Sequence, residues 1–371
     1  MKGMLESHMK NQSLVQKERS AAIQIMRGIA ILLVLYHHAS MQVDADGFLR
    51  GLRLVVTGFH MPVFFLIAGY LFQLKAARYS ENKPRFLLNK AQHLLIPYVF
   101  WTVILWAAVQ IAHIVASPGI RDMMVQNGFD RMSPLKLGIG LLTYEYYYTQ
   151  HLWFLYILFV YFLLHILIGK AGSSVPFIAA CGVVGLFAAA VQMPHMITRF
   201  LCWSVFFAFG RTVGRYDGLR RTVRALGTKK GLPFLLFAFA VFSAARIYVE
   251  TAGLDGVFWK CVQRFVLYGS AFSGSGVVYV IAEKLDRINK GKLLTLLGDH
   301  SLDIYLMHNP YFVAFSAMAL TNFLHLNAYP ALLAAIVIGV TAPTILSRFI
   351  IRKIGILSFV MLGIRKPKKA A

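Results

Sequence analysis

The chain has 371 residues, of which 58% are hydrophobic and only 14% charged, and its mean hydropathy is +0.62. Soluble domains carry about 45–50% apolar and about 25% charged residues, so a soluble globular enzyme is excluded. A net charge of +23, from 38 Lys and Arg against 15 Asp and Glu, would point to nucleic acid in a soluble chain. Here the charges bracket apolar runs, so the partner they imply is a lipid bilayer and not nucleic acid.

Ten apolar runs can be drawn, at roughly 21–40, 53–74, 94–116, 151–169, 175–193, 198–214, 232–250, 257–282, 299–319 and 329–351. Each is long enough to cross, as a helix, a hydrocarbon core of about 30 Å. The expected fold is therefore all-α: a polytopic membrane protein of about ten transmembrane helices. With the N-terminus in the cytoplasm, 28 of the 38 Lys and Arg fall in inside segments. The outside segments hold six: Arg50, Arg53, Arg121, Arg131, Lys136 and Arg199. This imbalance places both termini in the cytoplasm, most simply of a bacterial inner membrane. The reading divides the chain into a cytoplasmic segment 1–20, a ten-helix membrane domain 21–353 and a basic cytoplasmic tail 354–371. Residues 1–20 are polar and no small-residue cleavage pattern follows, so the first span reads as a retained anchor. Cys181, Cys202 and Cys261 lie in apolar runs and read as packing residues, not as disulfide or zinc ligands.

Ionisable side chains inside a span cost at least ~2.5–3.5 kcal/mol on insertion scales, which makes each a candidate for function. In the first span Arg27 and His38 are eleven residues apart, about 20° off a whole number of turns at 100° per residue, and so share one helical face. They are separated along the axis by about 16.5 Å. A fixed cation toward the cytoplasm and a titratable base toward the outside, looking into one channel, suit a transfer between compartments. The alternatives are a snorkelling Arg27 and an ordinary interfacial His38. His37 lies about 100° round from His38, so only one of the two imidazoles is expected at the site.

Downstream, His60, Pro62 and Gly69 fall in the second span, where the proline and glycine suggest a kink and a close-packed patch without implying chemistry. Lys75, Arg78, Lys83 and Arg85 precede Lys90 and His93, which are one turn apart at the predicted start of the third helix. These cations read either as positive-inside anchors or as a cytoplasmic mouth for a polyphosphorylated ligand. An outer loop, 117–150, ends in a Tyr-rich run with Glu145, followed by His151 and Trp153. That cluster is either an interfacial aromatic belt or a sugar-facing platform. Arg246 and Glu250 read as a local ion pair, and Arg264 as a partner for an acid or a ligand. In the ninth span Ser301, Tyr305 and His308 follow i, i+4, i+7 spacing and form a polar stripe facing the bundle interior. No metal-ligand spacing is visible.

Five stretches in order resemble the integral-membrane acyltransferase-3 family, whose members O-acylate cell-surface sugars. They are Arg27-X10-His38, the run from Met61 through Pro62 and Gly69 to Tyr70, Leu95-Ile96-Pro97-Tyr98, His151-Leu152-Trp153-Phe154-Leu155, and the run from Gly298-Asp299-His300-Ser301 to His308. The resemblance implies a cytosolic acyl-CoA, usually acetyl-CoA, as co-substrate with no bound cofactor. It implies as acceptor a hydroxyl of a cell-surface or lipid-linked glycan presented from the other side. His38 would be the base and Arg27 a donor-positioning cation, with Lys90, His93 and Arg85 also at the donor. Tyr305, His308, Ser301, Arg264, Glu145, His151 and Trp153 would support the oxyanion or the acceptor. Lys90-Ala91-Gln92-His93 stands where many members have Arg-X-X-Arg, and Ala68 where Ser is common. An exporter of polysaccharide or lipid-linked sugar is the alternative from another class; it should show paired interrupted helices related by repeats.

Overall fold

The computed structural model describes residues 2–43, 46–76, 81–126, 128–143, 148–191 and 193–365, with the side chains of residues 2–20 and 123 left aside. The described residues form helices and turns without strands. Helices α1 (Lys2–Ser40), α2 (Gly47–Leu74) and α3 (Lys83–Val115) are followed by two short helices, α4 (Pro118–Gln126) and α5 (Pro134–Thr143). A turn at Gln150–Leu152 leads into α6 (Trp153–Leu167), α7 (Val175–Ala188) and α8 (His195–Arg215). After the short α9 (Asp217–Ala225) come α10 (Gly231–Thr251) and α11 (Val257–Arg287). The chain closes with α12 (Lys292–Asp299), α13 (Ser301–Met307), α14 (Ala314–Asn322), α15 (Ala328–Phe349) and α16 (Gly355–Leu362).

The fold is an all-α polytopic membrane protein, but two of the ten expected spans differ. Eight helices among the described residues are long and apolar enough to cross a membrane. The fifth expected span shortens to α7, whose fourteen residues end at Ala188. The ninth is not one helix: α12 ends at its first residue, Asp299, the rest divides into α13 and α14, and Asn309 between these two is extended (φ −122°, ψ 136°). The physical reason is Pro310, whose ring drives the preceding residue out of the helical region. Apolarity across 299–319 conceals this break because composition registers burial and not backbone continuity. The expected outer loop is likewise structured by α4 and α5, and the tail expected from residue 354 begins with a docked helix: Leu362 is fully buried, and Gln92 Nε2 donates to Gly363 O at 2.9 Å.

Helix ends are tied down locally. Asp46 caps α2 by accepting from Leu49 N (2.8 Å) and receives the Tyr329 hydroxyl (2.6 Å); the Leu49 amide holds its carboxyl below the usual range. Arg53 Nη1 donates to Ser40 O at 2.8 Å, placing a cation on the C-terminal carbonyls of α1. In the middle of the bundle α2 and α8 lie backbone to backbone: a Cβ at Gly69 would strike the Phe207 carbonyl, and one at Gly210 the Leu66 carbonyl. Small residues are what permit such an approach in lipid, so the expected close-packed patch is present.

Buried cations act as fasteners. Arg211 donates to Gln73 Oε1 (3.1 Å), His165 Nδ1 (2.9 Å) and Gly169 O (2.6 Å), joining α2, α6 and α8. Arg246 stands 3.9 Å from Glu250, as expected, but its shorter bonds go to Leu54 O (2.7 Å) and Thr57 Oγ1 (3.2 Å) on α2. The broken ninth segment is held by the buried Asp303, which accepts from Arg352 through both carboxylate oxygens (2.7 and 3.0 Å) and from Ser347 Oγ (2.5 Å). Asp303→Ala is expected to cost about 3 kcal/mol, the lower end for breaking a buried pair, because the Arg352 side chain is 36% exposed. The Asp303→Leu/Arg352→Leu double variant should unfold at a higher temperature than Asp303→Ala alone in thermal scans of the solubilised protein.

Candidate active site

At the end of the bundle where α1 stops and α2 starts lies a cavity of about 510 Å³. From α1 it takes Val34, His37 and His38; from α2 it takes Thr57, His60 and Met61, which share one helical face. The turn before α6 supplies Gln150 and His151, while Trp153, Arg199, Trp203 and Tyr305 form a second wall. Neighbouring imidazole centroids follow one another closely: His60 to His37 at 5.4 Å, His37 to His38 at 4.9 Å, His38 to His308 at 5.0 Å, and His308 to His151 at 5.3 Å. Among the described residues, the lining contains no Asp or Glu.

Backbone geometry assigns protons to two of these rings. His60 Nδ1 lies 3.0 Å from the Val56 carbonyl, and His308 Nδ1 lies 2.8 Å from Tyr305 O and 3.2 Å from Ile304 O. A carbonyl can only accept, so in each neutral ring Nδ1 carries the proton and Nε2 carries a lone pair. His308 Nε2 is buried without a hydrogen-bond partner. The Tyr305 hydroxyl donates to the His151 carbonyl, which fixes the turn before α6 against α13. Tyr305 and neutral His308 have thus committed their single protons to the backbone and have none for an oxyanion. The cation on this wall is Arg199, stacked on Trp153 at 5.3 Å. Burial pushes the Tyr148 phenol, which also lines the cavity, to about 12, so it remains a hydroxyl near neutrality.

The other end of the membrane-crossing part of α1, Ala21–Ser40, carries Arg27. Arg27 is half-buried, its Nη1 donating to Gln24 Oε1 at 3.3 Å, and it is within electrostatic reach of Asp299 and Lys90. The approach is set by glycine: a Cβ at Gly298 would collide with the Gln24 carbonyl and one at Gly28 with the Leu294 carbonyl, so α12 lies directly on α1 and delivers Asp299 to Arg27. Lys90 Nζ sits over the Phe162 ring at 4.5 Å, with Lys75 nearby.

Several expectations change. Arg27 does not line the histidine cavity: the intervening positions on its face are Val34, which forms part of the cavity wall, and Ile31, which is fully buried. On this face of α1 the fully buried, apolar Ile31 therefore separates Arg27 from the cavity where a continuous channel was expected. His37 and His38 both line the cavity, because it is wide enough to meet two adjacent helical positions, and His60 joins them from α2. Lys90 and His93 do not start a helix: Asn82 caps α3 with Pro84 following, so Arg85 lies in the first turn and His93 is exposed two turns further on. Ser301 is buried outside the cavity, and Arg264 neither lines it nor forms a salt bridge among the described residues. Trp153 faces the cavity instead of a lipid interface, and Glu145 lies outside the described residues. Sequence reasoning passed over His60 and Arg199. The presence of His60 within an apolar run was the available signal; nothing local marked Arg199. Among the described residues, no group of three or more His, Cys, Asp or Glu is disposed to hold a metal ion.

The family model described as an acyltransferase domain matches residues 20–348. The chain belongs to the acyltransferase-3 family. It is an integral-membrane acyltransferase, and the match spans the bundle from the start of the first apolar run to the end of α15. No curated protein and no solved structure matches the chain. This acyltransferase has its histidine cavity at one end and its Arg27 cluster at the other, which sets a labelling experiment. With Cys181, Cys202 and Cys261 replaced by Ala, Met41→Cys beside the cavity and Lys75→Cys near Lys90 should react with a membrane-impermeant maleimide from opposite faces of oriented vesicles. Labelling of both from one face would show that the two regions do not lie on opposite sides.

Proposed function

We propose that this acyltransferase moves an acyl group, most simply acetyl, from a cytosolic acyl-CoA to a hydroxyl of a cell-surface or lipid-linked glycan. The single observation that carries the reading is the cavity of about 510 Å³ in which His38 stands among indoles and polar side chains. Arg27, Lys90 and Lys75 form a cationic end suited to a polyphosphorylated donor, with the exposed Arg85 and His93 on the same helix as Lys90. Trp153 and Trp203, centroids 5.9 Å apart, offer flat apolar faces for a sugar, and Arg199 offers donors to its oxygens. The N-terminus is then in the cytoplasm of a bacterial inner membrane and the cavity opens outward. Family membership favours transfer over export.

The chemistry assigns His38 as general base. Its neutral ring takes the proton of the acceptor hydroxyl as the oxygen attacks the thioester carbonyl. The carbon–oxygen bond forms, the carbon–sulfur bond breaks, and His38 returns the proton to the departing thiolate. Negative charge on the carbonyl oxygen during attack falls to Arg199, since Tyr305 and neutral His308 have no proton to spare. The donor arm must displace the apolar contact at Ile31 to bring its thioester to His38.

The test uses the purified full chain in nanodiscs with radiolabelled acetyl-CoA and the surface polysaccharide of the host cell. Wild type should transfer label, and His38→Ala should lower kcat/KM by ~10²–10⁴-fold, the range for loss of general-base help. Arg199→Ala should lower kcat by about 10²-fold, as for loss of one oxyanion donor. Undiminished transfer by His38→Ala would remove the base from the proposal.

A further inference from the structure

An imidazole acts as a base only through the nitrogen that lacks a proton, so a base working at one fixed position needs one tautomer. His38 stands in the cavity wall beside His308, ring centroids 5.0 Å apart with the planes inclined at 58°. Ring size plus a hydrogen bond of about 2.9 Å gives a centroid spacing close to this value for two imidazoles joined by one N–H···N bond. His308 can only accept in such a bond. Its Nδ1 proton is spent on the Ile304 and Tyr305 carbonyls at the end of α13, and its Nε2 is fully buried with no partner. A lone pair buried without a donor is costly, which favours a donor turning toward it.

We infer that His308 is a positioning residue for the acyl transfer: its Nε2 accepts the N–H of His38 and so leaves the other His38 nitrogen unprotonated toward the cavity. The inference rests on the assignment of His38 as the base. It extends the logic of a base oriented by a third group, with a neutral imidazole in place of a carboxylate. The proton taken from the hydroxyl lands on the free nitrogen, the bond to His308 is kept throughout, and the same proton then passes to the thiolate. The break at Asn309 supports this placement, because the chain leaves helical geometry immediately after His308. The competing donor is His151, 5.3 Å from His308 by centroid.

The decisive measurement is nitrogen NMR of the full chain in nanodiscs with isotope-labelled histidines and no substrate, the His38 signals being assigned by their loss in His38→Ala. Wild type should show His38 as one neutral tautomer. His308→Gln, which keeps an acceptor, and His151→Phe should preserve it, whereas His308→Leu should give a mixture. In the transfer assay His308→Leu should lower kcat by about 100-fold with KM little changed, short of the ~10⁴-fold lost when a charged triad partner is neutralised, and His308→Gln should restore part of it. A tautomer mixture in wild type, or loss of the single tautomer in His151→Phe, overturns the inference. The spectra need no turnover, so they decide it even where the acetyl-CoA assay fails.

Discussion

A buried neutral imidazole is stabilised when its one N–H meets an acceptor, and at two rings this constraint sets the site. The helix backbone meets it for His60 and His308, each of which donates to a carbonyl about one turn earlier on its own helix. Once those protons are fixed, the remaining nitrogens become acceptors: His60 lines the cavity, and the buried Nε2 of His308 belongs to a ring packed beside His38. At His60 and His308 the helix backbone therefore takes the ring hydrogen and leaves a lone pair on Nε2. The wall has no carboxylate among its described residues and carries Arg199 at one side.

The rest of the bundle serves to bring distant segments to that place. Glycine contacts let α2 meet α8 and α12 meet α1 at backbone distance, so the sixth apolar run lies on the second and the segment leading into the ninth lies on the first. The Asp303–Arg352 pair then anchors α13 to the chain just beyond α15, and with it Tyr305 and His308. In hydrocarbon an uncompensated charge is expensive enough to force such pairing, which makes these cations registers of helix position. Arg211 acts in the same way away from the cavity, and Arg246 does so beside it, bonded to Thr57 of the cavity lining.

Much of the architecture was legible because its causes are local. Apolar length marks a membrane helix, and eight of the ten expected spans are such helices. The shared face of Arg27 and His38 also follows from helix periodicity. What periodicity could not supply is whether the space between two residues on one face is open, since that depends on neighbouring helices; Ile31 is fully buried there. His37 was set aside by an angular argument that treats the site as a line, whereas the cavity spans two helical positions. The kink at Asn309 was signalled by Pro310, yet the apolar composition around it favoured a single span. Arg199 reaches the cavity only through the packing of α8 against α6, which no local pattern encodes.

The hydrocarbon seal at Ile31 bears on the energetics of the living membrane. A water-filled bore joining Arg27 to the histidines would let protons flow down the transmembrane voltage, dissipating about 2.3 kcal/mol for each charge per 100 mV. Imidazoles in series are good proton conductors, so the ladder from His60 to His151 would make such a leak worse. With the apolar Ile31 fully buried on that face of α1, no such bore runs past it between Arg27 and the histidines in this structure.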